Sequence, residues 1–258
     1  MRHTDGTQAQ SVTRLDQELV IRGLIRSRTK AQQAIATGKV QVNSRIVTKS
    51  SLPVSVEDRI SVDLGENYVS RGALKLAGAF EAFTPLGLPD ARDMDCLDIG
   101  ASTGGFTDFL LRRGARRVMA LDVGHGQLDE RIASDSRVHE MDGLNIRDVC
   151  AKDLPFDPGY IVSDVSFISL TYVIPAIASF LRRNATCIFL VKPQFEVGRK
   201  RLGHHGIVES EALREEALRS VVDCARGNGF SVRGSAPSPI EGTHGNKEYL
   251  LWLEFRVA

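Results

Sequence analysis

The chain has 258 residues, of which 42% are hydrophobic and 25% are charged. These proportions are typical of a globular protein whose core needs no disulfides or metals, and they exclude a disordered or fibrous chain. The formal net charge is only +1. Any binding of nucleic acid therefore has to depend on local clusters of basic residues.

Residues 1–12 are polar and lack the apolar stretch of a signal peptide, so we expect a flexible tail there. No apolar run approaches the ~20 residues that a membrane-spanning helix needs, so we expect no membrane partner. Neither C-x-x-C spacing nor a matching pair of histidines accompanies the cysteines, which predicts no metal site and a reduced, cytoplasmic protein. These cysteines are Cys96, Cys150, Cys187 and Cys224.

A basic module follows the tail. Between Arg14 and Ser50 there are eight Lys and Arg residues against two acids. Apolar residues at helical spacing predict one helix before Gly23, and Ser27 suits the N-cap of a second. Apolar residues that alternate from residue 40 to 62 predict short strands, with a hairpin turn at Asn43-Ser44. We therefore predict a small α/β domain over 13–63 and a linker over 64–70.

Strands and helices alternate in the rest of the chain, after a first helix at 72–83. This order predicts a Rossmann-like, doubly wound domain over 71–258, whose seven-stranded sheet is mostly parallel. The last strand follows its predecessor without room for a crossover helix, so we expect it to be antiparallel. The predicted strands are 94–99, 117–122, 137–141, 159–164, 186–192, 231–236 and 248–255. The further predicted helices are 105–113, 127–134, 170–182 and 210–227.

A glycine-rich turn follows the first strand of this domain. Asp98 lies two residues before Gly100, where its carboxylate can hold a ligand ammonium group, and the glycines let the backbone approach a ligand. Asp122 ends the next strand, where a carboxylate can accept hydrogen bonds from both ribose hydroxyls. The pattern favours a nucleoside cofactor over a purely structural turn. It does not separate S-adenosylmethionine from NAD.

The carboxyl edge of the sheet limits the chemistry. Asp164-Val165-Ser166-Phe167 follows the fourth strand, where a common type of base N-methyltransferase would have Asn/Asp-Pro-Pro-Tyr/Phe. A cytosine C5 enzyme would need a nucleophilic cysteine near the cofactor. Neither is present.

Two lysines and two acids have positions that predict a site at the same edge. Lys75 lies on the helix before the first strand, Lys192 ends the fifth strand and Glu248 begins the last. A buried lysine among other charges can act as a base, with Asp164 and Glu248 orienting the amines. The alternative is a structural network of ion pairs.

Several blocks of the chain resemble the TlyA family, in which an alpha-L-type RNA-binding domain is fused to an FtsJ-like methyltransferase. The blocks are Arg14-Leu15-Asp16, Ser27-Arg28, Gly38-Lys39-Val40, 70–76, 98–106, 164–170, 192–198 and 245–249. The resemblance implies methylation of ribose 2′-hydroxyls, with cytidine of ribosomal RNA as the substrate. It also implies S-adenosylmethionine as cofactor and a Lys-Asp-Lys-Glu tetrad at Lys75, Asp164, Lys192 and Glu248. Some members are labelled hemolysin.

The candidate binding residues form two groups. The cofactor group is Asp98, Gly100, Ala101, Ser102, Gly104, Gly105, Phe106, Asp122, Val123, Asp142 and Asp164. The RNA group is Arg14, Arg26, Ser27, Arg28, Lys30, Lys39, Arg71, Arg199, Lys200 and Arg201. Basic side chains of this kind contact phosphates, although a merely solvated surface is the alternative.

The segment 198–206 is basic and follows Lys192 closely. We expect it to be mobile without RNA and to fold over the substrate. His204 and His205 have no further ligands at zinc spacing. Phe167 or Phe195 could stack on a flipped base, but we expect both in the core.

Three other functions compete with an RNA 2′-O-methyltransferase. A membrane-active hemolysin would make liposomes leak, and a non-catalytic ribosome-assembly factor would bind cofactor without turnover. A dehydrogenase would bind NAD rather than S-adenosylmethionine in calorimetry. The leading hypothesis predicts ribosomal RNA or ribosomal subunits as partners, with a monomer or weak dimer as the active form.

Overall fold

The computed structural model describes residues 12–25, 27–62 and 68–257. The chain divides into two compact units, Met1–Asn67 and Tyr68–Ala258, and each is described by itself. Most of the predicted tail, Arg26, Asp63 and four residues of the expected linker (64–67) lie outside the described residues. The predicted domain boundaries stay predictions.

The first unit packs two helices against short strands. Its helices are α1 (Leu15–Ile21) and α2 (Arg28–Ala36). The hydroxyl of Ser27 accepts a hydrogen bond from the backbone N–H of Lys30, which confirms the predicted N-cap. Its strands are β1 (Thr13–Arg14), β2 (Val40–Val42), β3 (Arg45–Val47), β4 (Pro53–Val54) and β5 (Ile60–Val62).

Strands β2 and β3 form the predicted hairpin. Asn43 and Ser44 both have positive φ angles, 52° and 65°, as a two-residue turn that matches the strand twist requires. Strands β3, β2 and β5 form one sheet, and β1 pairs with β4. The core of the unit includes Leu15, Leu19 and Ile35, all fully buried.

The second unit alternates strands and helices, as the sequence predicts. Its helices are α3 (Gly72–Phe83), α4 (Gly105–Arg112), α5 (Glu130–Ala133), α6 (Leu170–Phe180), α7 (Pro193–Glu196) and α8 (Glu211–Gly227). Its strands are β6 (Asp95–Ile99), β7 (Arg117–Asp122), β8 (Val138–Asp142), β9 (Tyr160–Ser163), β10 (Ala185–Val191), β11 (Phe230–Pro237) and β12 (Tyr249–Phe255). Single turns of 3₁₀ helix lie at Thr84–Leu86, Ile146–Asp148, Ala151–Asp153, Arg199–Arg201, His204–Gly206 and Thr243–Gly245.

The seven strands form one sheet in the order β11-β12-β10-β9-β6-β7-β8. Strand β12 runs antiparallel to both of its neighbours, and the remaining pairs are parallel. The predicted Rossmann-like, mostly parallel fold is therefore confirmed. No helix in the described part of the chain is long and apolar enough to cross a membrane.

Two differences from the prediction affect the site. The helix expected over 127–134 is confined to Glu130–Ala133, because the residues after β7 form a bend next to Asp122. The short helix α7 is not predicted, since proline and glutamine after a strand give no helical periodicity.

The strand order places a crevice between β6 and β9. The chain proceeds from β6 towards β7 and β8 on one side, whereas β9 and β10 lie on the other. The connections after β6 and β9 therefore diverge, and their carboxyl ends leave a gap where α/β proteins bind ligands. Buried apolar clusters cover both faces of the sheet and keep these strand ends fixed.

Candidate active site

Asp98 lies at the base of the crevice and is fully buried. Its Oδ2 accepts a hydrogen bond of 2.7 Å from the hydroxyl of Thr107. Among the described residues its Oδ1 has no hydrogen-bond partner. Burial is the main cause that raises the pKa of Asp98 to about 7. A buried carboxylate with one free oxygen has the chemistry to take a ligand cation such as an ammonium group.

The glycine-rich turn lies close to the end of β9. Gly100 has a φ of +83°, and a Cβ built on it would lie 2.9 Å from the carbonyl oxygen of Asp164. A Cβ on Gly105 would lie 2.2 Å from the hydroxyl of Ser70. The glycines therefore allow the turn, β9 and the segment before α3 to meet without side chains between them.

We expect Gly100→Ala to destabilise the protein by about 1–3 kcal/mol, because alanine disfavours this φ and its methyl group would press on the backbone of Asp164. Thermal unfolding would measure the change. Gly227→Ala is the matched control: Gly227 is helical, nothing lies within 4 Å of its built Cβ, and alanine favours a helix. Equal melting temperatures for wild type and Gly100→Ala would contradict the close approach.

Carboxylates also end the strands β7 and β8. Asp122 accepts hydrogen bonds from the backbone N–H groups of Ser102, at 2.9 Å, and Gly124, at 2.8 Å. Asp142 accepts one from Gly126. Both carboxylates keep lone pairs for further donors. The site thus offers two ordered acceptors side by side, as the pairing of Asp122 with Asp142 in the sheet requires.

Two exposed apolar side chains accompany these acids. Val123 is 66% exposed and Leu144 is 37% exposed, and each follows a strand-end acid by one or two residues. Carboxylates can accept hydrogen bonds from ribose hydroxyls, and neighbouring apolar side chains can pack against a base. This combination suits an adenosine group. Leu144 was not among the predicted residues, although its position two residues after Asp142 could have indicated it.

A cavity of about 370 Å³ opens beside the glycine-rich turn. Its lining includes Gly100–Phe106 except Gly104, together with Arg71, Lys75, Asp164, Ser166, Lys192 and the segment 240–242. Phe106 also packs in the core below. Asp98, Asp122, Val123, Asp142 and Glu248 are not in this lining. The predicted site residues thus fall into two sets: those that line the cavity and those that lie outside it, mostly at neighbouring strand ends.

Four charged side chains form a chain of alternating sign at the cavity. The Nζ of Lys75 lies 2.7 Å from Oε2 of Glu248 and 3.7 Å from Oδ2 of Asp164. The Nζ of Lys192 lies 2.7 Å from Oδ1 of Asp164. Both lysines and Glu248 are buried. Two cations balance two anions, which lowers the cost of burying each charge.

The two lysines differ in their surroundings. Lys75 contacts two carboxylates, whereas Lys192 contacts one carboxylate and donates a hydrogen bond of 2.8 Å to the hydroxyl of Ser166. Lys192 is therefore the less strongly neutralised of the two amines on the cavity wall. It is the amine better suited to accept or share a proton with a bound hydroxyl.

Two further residues close in sequence to the tetrad make side-chain hydrogen bonds and were not predicted from the sequence. Gln194 donates a 3.4 Å hydrogen bond to Oε1 of Glu248. Asn246 accepts a hydrogen bond from the backbone N–H of Val208 and donates one to the carbonyl of Gly206, both at 3.2 Å. Each lies two residues from a tetrad member, which was the available signal.

Three of the predicted RNA-contacting arginines have internal partners. Arg14 and Arg28 both pair with the buried carboxylate of Asp16, at 3.0 and 2.9 Å. The hydrogen bond from Arg14 is the largest cause that lowers the pKa of Asp16. In the second unit, Arg201 binds the carbonyl of Val197 and pairs with Glu216. These side chains remain partly exposed, so part of each guanidinium still faces solvent.

The other predicted RNA-contacting residues differ in exposure and in use. Ser27 uses its hydroxyl for the N-cap of α2, and Arg71 lines the cavity. The remaining described ones, Lys30, Lys39, Arg199 and Lys200, have exposed side chains.

The placement of Phe167 in the core is wrong. Its side chain is 92% exposed and its φ is +65°. The left-handed backbone directs the ring away from the sheet. Its ring centroid lies 5.2 Å from that of Phe195, which is partly buried. An aromatic pair with one exposed ring therefore lies near Lys192, whose Nζ is 5.8 Å from the ring centroid of Phe195.

Comparison with known proteins agrees with this geometry. Residues 68–255 match the FtsJ-like methyltransferase family, and residues 13–60 match the S4 domain. The chain is 43% identical over 242 residues to the 16S/23S rRNA (cytidine-2′-O)-methyltransferase TlyA of Mycobacterium tuberculosis, which covers 93% of this chain and 89% of that protein. It is 38% identical to a hemolysin-labelled structure from Streptococcus thermophilus, with a TM-score of 0.72 over 97% of this chain and 90% of the other.

A more distant structure shares the fold alone. It is an S-adenosylmethionine-dependent methyltransferase from Listeria monocytogenes, 16% identical, with a TM-score of 0.51 over 71% of this chain and all of the other. The buried, half-satisfied Asp98 and the acids at the ends of β7 and β8 fit such a cofactor. The chain therefore belongs to the TlyA family of FtsJ-like methyltransferases, with an N-terminal S4 domain and S-adenosylmethionine as cofactor.

Proposed function

We propose that the protein transfers a methyl group from S-adenosylmethionine to a ribose 2′-hydroxyl of ribosomal RNA, on cytidine. The observation that carries this proposal is the chain Glu248–Lys75–Asp164–Lys192, whose last three members line a cavity next to the glycine-rich turn. The activity for which the Mycobacterium relative is named supports the choice of cytidine and of ribosomal RNA.

The cofactor residues divide by chemistry. Asp98 would hold the ammonium group, and the backbone around Gly100, Ala101, Ser102, Gly104 and Gly105 would surround the amino-acid end. Asp122 would accept hydrogen bonds from the ribose hydroxyls. Asp142 would accept a hydrogen bond from the adenine amino group, and Val123 and Leu144 would pack against the adenine ring. When bound, the cofactor supplies a methyl group on a sulfonium, which is already activated for displacement.

Lys192, once it has lost its own proton to solvent, would accept the proton of the 2′-hydroxyl while the oxygen takes the methyl group, and the neutral thioether S-adenosylhomocysteine would leave. Asp164 orients Lys192 through its 2.7 Å ion pair, while Lys75, which is itself held by Glu248, contacts the other oxygen of Asp164. An in-line displacement needs little more than a correctly placed hydroxyl, so positioning by this rigid, buried chain supplies most of the catalysis. A 2′-hydroxyl that is positioned and deprotonated by these side chains needs no metal ion to activate it.

The exposed ring of Phe167 supports a further element of the proposal. A ribose hydroxyl can enter the cavity only if its nucleotide leaves the helical stack. An exposed aromatic ring beside Lys192 can stack on the base of such a nucleotide. Phe167 is therefore the side chain that we assign to the flipped base.

The S4 domain and the exposed lysines would hold the RNA through its phosphates. Arg26, Arg71, Arg199 and Lys200 remain in this proposal, as do the solvent-facing parts of Arg14, Arg28 and Arg201. Such contacts determine affinity more than sequence choice. Ribosomal RNA, free or in ribosomal subunits, is then the partner, and the cytoplasm is the place of action. We propose a monomer or weak dimer as the active form.

We expect the double variant Lys30→Ala/Lys39→Ala to bind ribosomal RNA more weakly. Each lost phosphate contact should reduce the slope of log affinity against log salt by about 1. Filter binding over a series of salt concentrations would measure both quantities. Lys152→Ala, an exposed lysine in the single turn Ala151–Asp153, is the control. An unchanged salt slope in the double variant would place the RNA elsewhere.

The test of the function is transfer of labelled methyl groups to ribosomal RNA and to each subunit, followed by mapping of alkali-resistant linkages. The proposal predicts labelled 2′-O-methyl cytidine. Label on a base would contradict it. Tight cofactor binding without turnover on any RNA would favour a non-catalytic assembly factor.

A further inference from the structure

Glu196 is a partly buried carboxylate outside the tetrad, at the end of the short helix α7. Its Oε1 accepts a hydrogen bond of 2.9 Å from the backbone N–H of Leu170, and its Oε2 accepts one from the hydroxyl of Ser169. Glu196 does not line the cavity. Glu196 is therefore not among the residues that a nucleotide in this cavity would contact.

The partners of Glu196 belong to the segment that carries Asp164. That segment runs from the end of β9 through Asp164, Ser166 and Phe167 to Ser169, which caps α6 by accepting a hydrogen bond from Thr171. Glu196 itself follows Lys192 by four residues. Its carboxylate thus joins the two segments from which Asp164 and Lys192 project.

The surroundings of Glu196 favour its contacts with Ser169 and Leu170. A carboxylate at the first turn of α6 satisfies a backbone N–H that the helix leaves free, and it faces the positive end of the helix dipole. Burial raises the pKa of Glu196, while the hydrogen bonds from Ser169 and Leu170 oppose that rise. The group is held in place by directional bonds rather than by packing alone.

Among the described residues, the other hydrogen bonds, ion pairs and ring contacts between the two segments lie at or next to the cavity. They are the Lys192–Asp164 ion pair, the Lys192–Ser166 hydrogen bond and the Phe167–Phe195 ring contact. Lys192 and Phe167 are the side chains assigned to the substrate, so a bound nucleotide would share these contacts. The Glu196 contacts use residues outside the cavity lining, so they would hold the two segments together whether or not a nucleotide is bound.

We infer that Glu196 is a positioning residue for methyl transfer, which keeps Lys192 and the Asp164–Phe167 segment aligned through Ser169 and the N-terminus of α6. This inference rests on the proposed function. It goes beyond the tetrad, because the residue acts through other residues and contacts no substrate.

Glu196→Ala and Glu196→Gln test it in the full chain. Since alanine removes both acceptors, we expect kcat at saturating RNA and cofactor to fall about tenfold or more. The Kd for S-adenosylmethionine should stay within about twofold, because the glycine-rich turn and Asp122 lie on other elements. Glutamine keeps one acceptor for Leu170, so it should restore part of kcat, and it serves as the variant if alanine does not fold.

Glu211→Ala and Glu211→Gln are matched controls, since Glu211 is an exposed glutamate in the first turn of α8. They should leave kcat unchanged. A Glu196→Ala protein with wild-type kcat, or with equal losses in kcat and in cofactor affinity, would overturn the inference.

Hydrogen exchange gives a readout that does not depend on activity. In Glu196→Ala the amides of Leu170 and Thr171 should exchange faster, while those of 98–106 should not change. Unchanged exchange at Leu170 would overturn the inference by itself. If the wild-type protein transfers no methyl group to any RNA, the proposed function fails, and the exchange result then shows only whether Glu196 holds the N-terminus of α6.

Discussion

Lys192→Ala is expected to lower the rate of methyl transfer by about 10²–10⁴-fold, the usual contribution of a positioned acid or base. The amine is the tetrad group that faces the cavity with only one carboxylate partner. Its removal takes away the acceptor for the hydroxyl proton. Asp164 keeps its contact with Lys75 at 3.7 Å, so the variant should still fold.

Two further variants separate the role of Lys192 as a proton acceptor from the effect of its positive charge. Lys192→Arg keeps a cation near Asp164 but remains protonated at any ordinary pH, so it should be nearly as inactive as alanine while binding RNA normally. Lys152→Ala removes an exposed lysine and should be fully active. Single-turnover rates at saturating RNA would make the comparison. Undiminished transfer by Lys192→Ala would remove the tetrad from the mechanism.

Asp98→Asn should weaken S-adenosylmethionine binding about 10- to 100-fold, because a charge-assisted hydrogen bond is worth ~1.5–3 kcal/mol. Oδ1 of Asp98 is the buried oxygen without a partner among the described residues, which an ammonium group would satisfy. An asparagine there offers no negative charge. Isothermal titration calorimetry would measure the affinity, with Asp157→Asn, an exposed loop carboxylate, as the control.

The pH dependence of cofactor affinity is a second test of the role of Asp98. The pKa of Asp98 is raised from 3.8 to about 7, so below pH 7 the empty site holds a neutral carboxyl group. Cofactor affinity should therefore rise as pH increases to about 7, with about a tenfold deficit one pH unit below the pKa, before the ligand's own ammonium group loses its proton near pH 8. Asp98→Asn should abolish this dependence. A flat profile in the wild type would contradict the ammonium assignment.

Protein stability should show the opposite trend. A raised pKa means that the folded state without ligand binds the proton more tightly than the unfolded chain does. The contribution of Asp98 to stability is thus complete below its ordinary pKa of 3.8 and is lost as pH rises towards 7. Cofactor binding would reverse that loss, since the ammonium group stabilises the charged form.

The fold and the tetrad could be predicted because both depend on local patterns. Alternating apolar strands and helices determine a doubly wound sheet, and the ends of parallel strands converge at one edge. Lys192 follows the end of β10 and Glu248 precedes the start of the antiparallel β12, so the pattern alone placed them at the same edge. The glycine-rich turn was recognisable because its glycines have positive φ or meet neighbouring backbone.

The supporting contacts were not predictable, because they depend on how loops pack. Asp16 lies 12 residues before Arg28, and nothing in the sequence shows that a buried carboxylate will bind that side chain. Glu196 meets Leu170 across 26 residues. Phe167 was placed in the core by hydrophobicity, whereas its positive φ, invisible in the sequence, exposes it.

The most direct test of the central claim uses one RNA with a single chemical change. After the methylated cytidine has been mapped, the same RNA is made with 2′-deoxycytidine at that position alone, and labelled methyl transfer is compared. We predict that the deoxy RNA binds with unchanged affinity and accepts no label. Equal labelling of the two RNAs would show that the ribose hydroxyl is not the acceptor.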